Sequence, residues 1–180
     1  MPTASHATPP SPVPSQGLHC RPLAHDPAVW PTVAAWMVAA WPAWYGPGGP
    51  GDAFADLQAY GADEHRLPLG LVAWRDGQPV GFAALKVQAF LGRPEGQPWA
   101  GAAVVPPEQR RQGIGLALVQ ALHQRALAMG HPTVLCATAT AVTLLQRAGW
   151  HWVETVQHDG QSLQVFSSAA GPGGGLAAQP

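Results

Sequence analysis

The stretch from Trp99 to Ala137 constrains the fold of this chain most. An apolar run, Trp99 to Val105, is closed by Pro106-Pro107, which cannot continue a strand ladder. A glycine-bearing turn follows, and then a helical period: Ile114, Leu118, Leu122 and Met129 lie near one face, with Gln120 and Gln124 elsewhere. Gly130 and Pro132 stop that helix, and Thr133 to Ala137 makes a second short apolar run. Strand, helix, strand in that order is a βαβ crossover, which demands a sheet with at least one parallel pair.

The flanking segments read as hairpins and helices. Leu69 to Arg75 and Pro79 to Phe90 surround Asp76-Gly77, and Trp150 to His158 and Gln161 to Ser168 surround Asp159-Gly160. Asp-Gly between alternating apolar runs is a strong hairpin signal. Leu18 to Leu23 reads as a first strand. Asp26 then reads as an N-cap with Pro27 at the first helical position. Trp30, Val33, Met37, Trp41 and Trp44 are spaced as one helical face, which Pro42 kinks or ends. A second short helix is expected over Asp52 to Tyr60, a loop over Gly92 to Pro98, and a helix over Ala139 to Ala148 closed by Gly149. The order β, α, α, β, β, β, α, β, α, β, β implies one α+β domain around a mixed sheet, with hairpins and a central βαβ unit.

Composition bounds the rest. Met1 to Gly17 is proline-rich without Lys, Arg or acid, and Ala169 to Pro180 is Gly, Ala and Pro with one Leu and one Gln. Both segments, 1–17 and 169–180, are expected to be disordered tails outside the domain, Leu18 to Ser168. About 150 residues can hold a core unaided. A net charge of −1 argues against a general nucleic-acid or anionic-membrane binder. Cys20 and Cys136 are too few for a disulfide framework or a zinc cluster, and the histidines lack metal-ligand spacing, so no metal is expected. The uncharged segment after Asp26 is broken by Pro31 and Pro42, too short to span a bilayer. With no signal peptide at the N-terminus, the expected location is the cytoplasm.

The chemistry lies in Val105-Pro106-Pro107-Glu108-Gln109-Arg110-Arg111-Gln112-Gly113-Ile114-Gly115, which follows a strand and opens a helix. Such a junction binds anions: the first helical amides have no internal partners, and the helix dipole adds positive potential. Gly113 and Gly115 let a phosphate approach without a Cβ, and Arg110 and Arg111 add charge. It is not a Walker loop, because Leu116 follows Gly115, and Leu118 breaks a dinucleotide fingerprint. Gly113 and Gly115 alone would also fit an ordinary glycine turn. A phosphate site for simple nucleotides is a further reading of this loop.

The run resembles the acetyl-CoA signature of the GNAT superfamily of N-acetyltransferases, roughly V-x-P-x-x-R-G-x-G-I-G/A. Ala141 to Trp150 is similar to that family's A-I-x-L-Y-x-x-x-G-F segment. Leu67-Pro68, Pro98-Trp99 and Gly149-Trp150 resemble a bacterial subgroup whose substrates are mostly unassigned. The resemblance implies a mixed, mostly antiparallel sheet of about seven strands with helices on both faces around a central βαβ unit, and acetyl-CoA as co-substrate. Backbone amides of Arg111, Gln112, Gly113, Ile114, Gly115 and Leu116 would cradle its diphosphate, with Arg110 at the loop entrance. Val104 and Val105 would hydrogen-bond the pantetheine arm through the main chain. The strands at Trp99 and Thr133 would splay apart to admit it. Three positions depart from the pattern. Arg111 stands where Gly is usual, which is tolerable if its φ is negative. Thr138 replaces a common Asn. Leu145 occupies the position of a frequent Tyr, whose hydroxyl can protonate the departing thiolate; leucine has no proton to give.

Direct transfer needs a neutral amine, a donor at the carbonyl oxygen and a base. The implied oxygen donor is a backbone amide near Val105. Candidate acid–base groups are Glu95 before the fourth strand, Thr138 and Tyr60. Thr138 also suits a helix N-cap, and Tyr60 and Tyr45, in the region expected to wall the acceptor cleft, also suit packing. His151 and Glu154 read as surface and strand-edge groups. Cys136, inside an apolar strand, reads as an inert buried thiol. The expected activity is acetyl transfer to a primary amine, small molecule or peptide, in a ternary complex. The alternative is an acyl-CoA-binding module with little turnover. The Trp-rich helix suits a partner face as well as a cleft, which leaves a homodimer open.

Overall fold

The computed structural model describes residues 17–87 and 96–169. The expected tails, apart from Gly17 and Ala169, lie outside the described residues, as do the end of the third strand and Glu95. The elements are β1 (His19–Pro22), α1 (Trp30–Ala40), α2 (Pro42–Tyr45), α3 (Ala53–Tyr60), β2 (Leu69–Arg75), β3 (Gln78–Lys86), β4 (Trp99–Val104), α4 (Ile114–Ala128), β5 (Leu135–Thr138), α5 (Val142–Arg147), β6 (His151–His158) and β7 (Gln161–Ser167). One seven-stranded sheet runs β1-β2-β3-β4-β5-β7-β6. Every neighbouring pair is antiparallel except β4 with β5. Among the described residues no helix is long and apolar enough to cross a membrane.

The Asp-Gly turns form as expected: Asp76 and Gly77 have φ of 50° and 75°, Asp159 and Gly160 48° and 74°. Two positive φ values in succession match the twist of antiparallel strands. The sheet carries a hydrophobic cluster on each face. One joins Leu71, Ala83 and Leu85 to Ile114, Leu118 and Leu122 of α4 and to Leu145 of α5. The other joins Val72, Phe82 and Ala84 to Val33 and Met37 of α1 and to Leu57 and Tyr60 of α3. Side chains alternate across a strand, so successive residues of β2 and β3 feed opposite clusters and both faces need helical cover.

The first helical region departs from expectation. Asp26 caps nothing with its side chain; Pro27–Val29 is a 3-10 turn that leads into α1. The Asp26 carboxylate instead meets Arg21, at 2.9 Å, and the Arg21 guanidinium lies 4.4 Å from the Trp74 ring centre. The tryptophan stripe is also not one buried face. Trp41 leaves helical geometry at φ −132°, so Pro42 starts a separate turn, and Trp44 is 53% exposed. Asp52 is a true cap: its carboxylate accepts from the amides of Phe54 and Ala55.

Glu64, between α3 and β2, ties three parts of the chain together. Its carboxylate accepts from His25 Nε2 at 2.8 Å and from the Arg125 guanidinium of α4 at 3.1 Å. The His25 hydrogen bond, with the nearby His65 and Arg125 charges, holds its pKa below the usual carboxylate value despite opposing desolvation. A depressed carboxylate pKa gives stability that is present above the unfolded value and lost as the pH falls through the folded one. Glu64→Gln should therefore lower Tm at pH 7, and thermal melts at stepped pH should show the difference shrinking below about pH 4.

Arg111 has φ +61°, inside the left-handed region, so the condition of a negative φ is not met. A side chain there costs about 1 kcal/mol relative to glycine. Arg111→Gly should raise Tm by about 2–4 °C, with Arg111→Ala giving no such gain; calorimetric melts of both variants separate backbone relief from loss of charge.

Candidate active site

The site begins where β4 and β5 fail to pair. Their parallel ladder holds only Trp99 opposite Leu135, supported by the Leu135 amide donating to the Pro98 carbonyl at 3.0 Å. Beyond that point β5 bonds β7 on its far side and leaves β4. β4 is also bulged. Ala84 faces Gly101, yet Phe82 faces Val104, so Ala102 and Ala103 together oppose one residue of β3, and Ala102 takes φ +48°. The result is an open cavity of about 590 Å³. Ala100 to Ala103 form one wall and Cys136 to Thr138 the other. Thr140 and Ala141 stand at the foot of α5, with Trp41, Tyr45 and His158 around the rim.

The loop from Val105 to Gly113 stands beyond the end of β4. Pro107–Gln109 forms a 3-10 turn, and Gly113, at φ +81°, is the N-cap of α4. No side chain caps this helix, and its first internal bond runs from the Ala117 amide to the Gly113 carbonyl. The amides of Ile114, Gly115 and Leu116 therefore have no partner within the helix, at its positive dipole end. Ile114, 1% exposed, anchors the helix start in the core. Arg110 to Gly113 are exposed. A Cβ on Gly113 would meet nothing within 4 Å, so the space above this turn is free for a ligand.

Three expectations for the loop change in detail. A Cβ on Gly115 would lie 3.2 Å from Leu144, so this glycine serves the packing of α4 against α5. Arg110 turns back, its Nε donating to the Val105 carbonyl at 3.0 Å. The Gln112 side chain also faces inward. It donates to the Glu108 carbonyl at 3.2 Å and accepts from Arg75, whose guanidinium also holds the Gln112 carbonyl at 3.2 Å. What Gln112 offers outward is its backbone amide. No sequence pattern flagged Arg75; it reaches the loop because β2 ends beside it. Val104 is buried, and the Val105 carbonyl already accepts from Arg110.

The candidate acid–base groups separate. Thr138 lines the cavity, and its Oγ1 accepts from the amides of Thr140 (3.1 Å) and Ala141 (2.9 Å), capping the turn into α5. Tyr60 does not line it. It is buried against Phe82, ring centres 6.1 Å apart, and burial followed by the Asp56 charge pushes its hydroxyl up to about 12. Tyr45 does line the cavity, with its hydroxyl donating to Asp56; burial and that carboxylate raise its pKa far above the usual value. Cys136 is in the wall, and burial pushes its thiol up to about 12, so it is neutral and a weak nucleophile at pH 7. Leu145 is 1% exposed and packs in the core one turn after Ala141, which lines the cavity. His158 lines the rim, its Nε2 3.5 Å from Asp159. No group of three or more potential metal ligands occurs among the described residues.

Solved structures share this architecture. A putative acetyltransferase, yncA, from Salmonella typhimurium, solved with its cofactor acetyl-CoA, is 17% identical; the match covers 84% of this chain and 93% of that one, with a TM-score of 0.62. A ribosomal-protein-alanine N-acetyltransferase from Brucella melitensis is 20% identical, covering 79% and 95%, TM-score 0.62. The aminoglycoside acetyltransferase AAC(6')-Ib, solved with paromomycin and acetyl-CoA, is 17% identical, covering 86% and 94%, TM-score 0.63. A search of curated proteins returned no match. The Acetyltransferase (GNAT) family profile matches residues 30–150, a span that holds the bulged strand, the glycine turn and α5, and the chain belongs to that family.

Proposed function

We propose that this protein transfers an acetyl group from acetyl-CoA to a primary amine by direct attack in a ternary complex. The observation that carries this reading is the single-point β4–β5 pairing beside an uncapped glycine-started helix. The helix start suits the diphosphate, with the amides of Gln112 to Leu116 as donors and the Arg110 and Arg111 guanidiniums nearby. The unpaired edge of β4 suits the amide-bearing arm of the cofactor, which can add to it as an extra strand would. The amine nitrogen bonds to the thioester carbon, the C–S bond breaks, the thiolate takes a proton, and the amine gives one up. A main-chain amide of the bulged strand is suited to hold the carbonyl oxygen as charge develops.

Thr138 is the proton donor we assign to the departing sulfur. Its oxygen accepts two amide hydrogens, which polarises the hydroxyl and leaves its own proton free to donate. Tyr60 is too deeply buried for either proton role, and Glu95 lies outside the described residues. A second reading, an acyl-CoA-binding module with little turnover, is favoured by one observation: the position that carries a tyrosine in the family pattern is a core leucine, Leu145.

Gly113→Ala should leave the fold intact, because its Cβ meets no protein atom, yet strain the turn and crowd the phosphate. Isothermal titration should show acetyl-CoA affinity falling at least about tenfold, with ATP binding poorly to either protein. Unchanged affinity would remove the loop as the cofactor site. Thr138→Val should lower kcat by about a hundredfold while Thr138→Ser retains most of it, with acetyl-CoA affinity unchanged in both. Acetyl-CoA binding without thiol release from any amine in the wild type would establish the binding-module reading.

A further inference from the structure

The lining of the cavity carries little charge. Among the described residues that line it, none is Asp or Glu. Its ionisable side chains are Tyr45, Lys86, Cys136 and His158. Burial holds Tyr45 and Cys136 in their neutral forms at pH 7. Among the described lining residues Lys86 is thus the one fixed charge, and it is also the only lysine in the chain. Two described acids beside lining residues face other partners. Asp56 accepts the Tyr45 hydroxyl from behind the wall, and Asp159 stands exposed at the hairpin tip beside His158.

Lys86 is placed there by register. It ends β3 opposite Trp99, and Gly101 lies two residues further along β4 on the same face. A Cβ on Gly101 would come within 3.2 Å of Lys86 Cδ, so the missing side chain lets the lysine stem lie across β4 toward the bulge at Ala102. One strand residue spans roughly 3.3 Å, so the ammonium comes within about two residue lengths of the bulge. The side chain is half-buried and forms no ion pair with any described residue. An ammonium so placed leaves its attraction to a ligand unspent, and repels a second cation. Trp41 and Tyr45, edge to face with ring centres 6.2 Å apart, add an apolar wall beside it.

We propose that Lys86 binds a carboxylate of the acceptor, so that the acceptor is an amine of amino-acid type with an apolar or aromatic side chain. This rests on the acetyltransferase reading above. Polyamines and aminoglycosides, which are polycations, meet a like charge here and no described carboxylate.

Because the chain has one lysine, lysine-selective ¹³C labelling gives one Cε resonance that reports on this site. The full-length protein, saturated with CoA, is titrated with apolar and aromatic L-α-amino acids, each beside its own amide, and with spermidine. At least one amino acid should shift the Lys86 signal saturably and bind at least about tenfold more tightly than its amide, a difference of about 1.4 kcal/mol, with spermidine inert. A silent Lys86 signal with every amino acid overturns the proposal, as does an equal response to the amide or to spermidine. Calorimetry with CoA on the same sample separates the two levels. CoA binding with a silent Lys86 rejects only the acceptor assignment, whereas absent CoA binding rejects the acetyltransferase reading.

Discussion

The structure depends on a ladder that is started and then abandoned. β4 and β5 are parallel neighbours at the centre of the sheet, yet they meet only at Trp99 and Leu135. An interior strand edge left without partners exposes backbone donors and acceptors, which is unfavourable unless something else satisfies them. Two devices make the divergence stable. The bulge at Ala102 turns β4 away, and β5 compensates by pairing with β7 along its other edge. The cavity is the consequence, and where β4 and β5 face it their side chains are small, from Ala100 to Ala103 and from Cys136 to Thr138, because large ones would refill it.

A separate device is the turn at the head of α4. A helix start that must stay open to solvent cannot be capped by its own side chains. Here the loop is secured from outside. Arg75 holds Gln112 by side chain and carbonyl, Gln112 holds Glu108, and Arg110 holds Val105. These bonds use side chains and main-chain carbonyls and take up none of the loop's amides. Arg111 in a left-handed conformation shows that the loop geometry is imposed by these contacts, since glycine would adopt it more easily.

Legibility in the sequence followed the range of the interaction. The Asp-Gly hairpins and the Gly130 stop come from contacts a few residues apart, and the spacing of residues shows them. The first helical region was misjudged for the converse reason. Asp26 fits a cap, but Arg21 is closer to hand, and the Trp30 to Trp44 spacing continues through a proline that breaks the helix. Tyr60 and Tyr45 are equivalent as residues in a helical region. Only packing puts one against Phe82 in the core and the other at the cavity.

The sequence by itself determined the βαβ unit, the glycine turn at its centre and the family to which they belong, because each is a local pattern of turn chemistry and periodicity. Tertiary structure decided what those pieces face. Arg75 reaches the loop, Lys86 lies across Gly101, and Glu64 joins His25 to Arg125, each through separations that no local pattern encodes. The physical reason is register. Which residues meet across a sheet depends on where strands stop and bulge, and in β4 a bulge of one residue sets which residues wall the cavity.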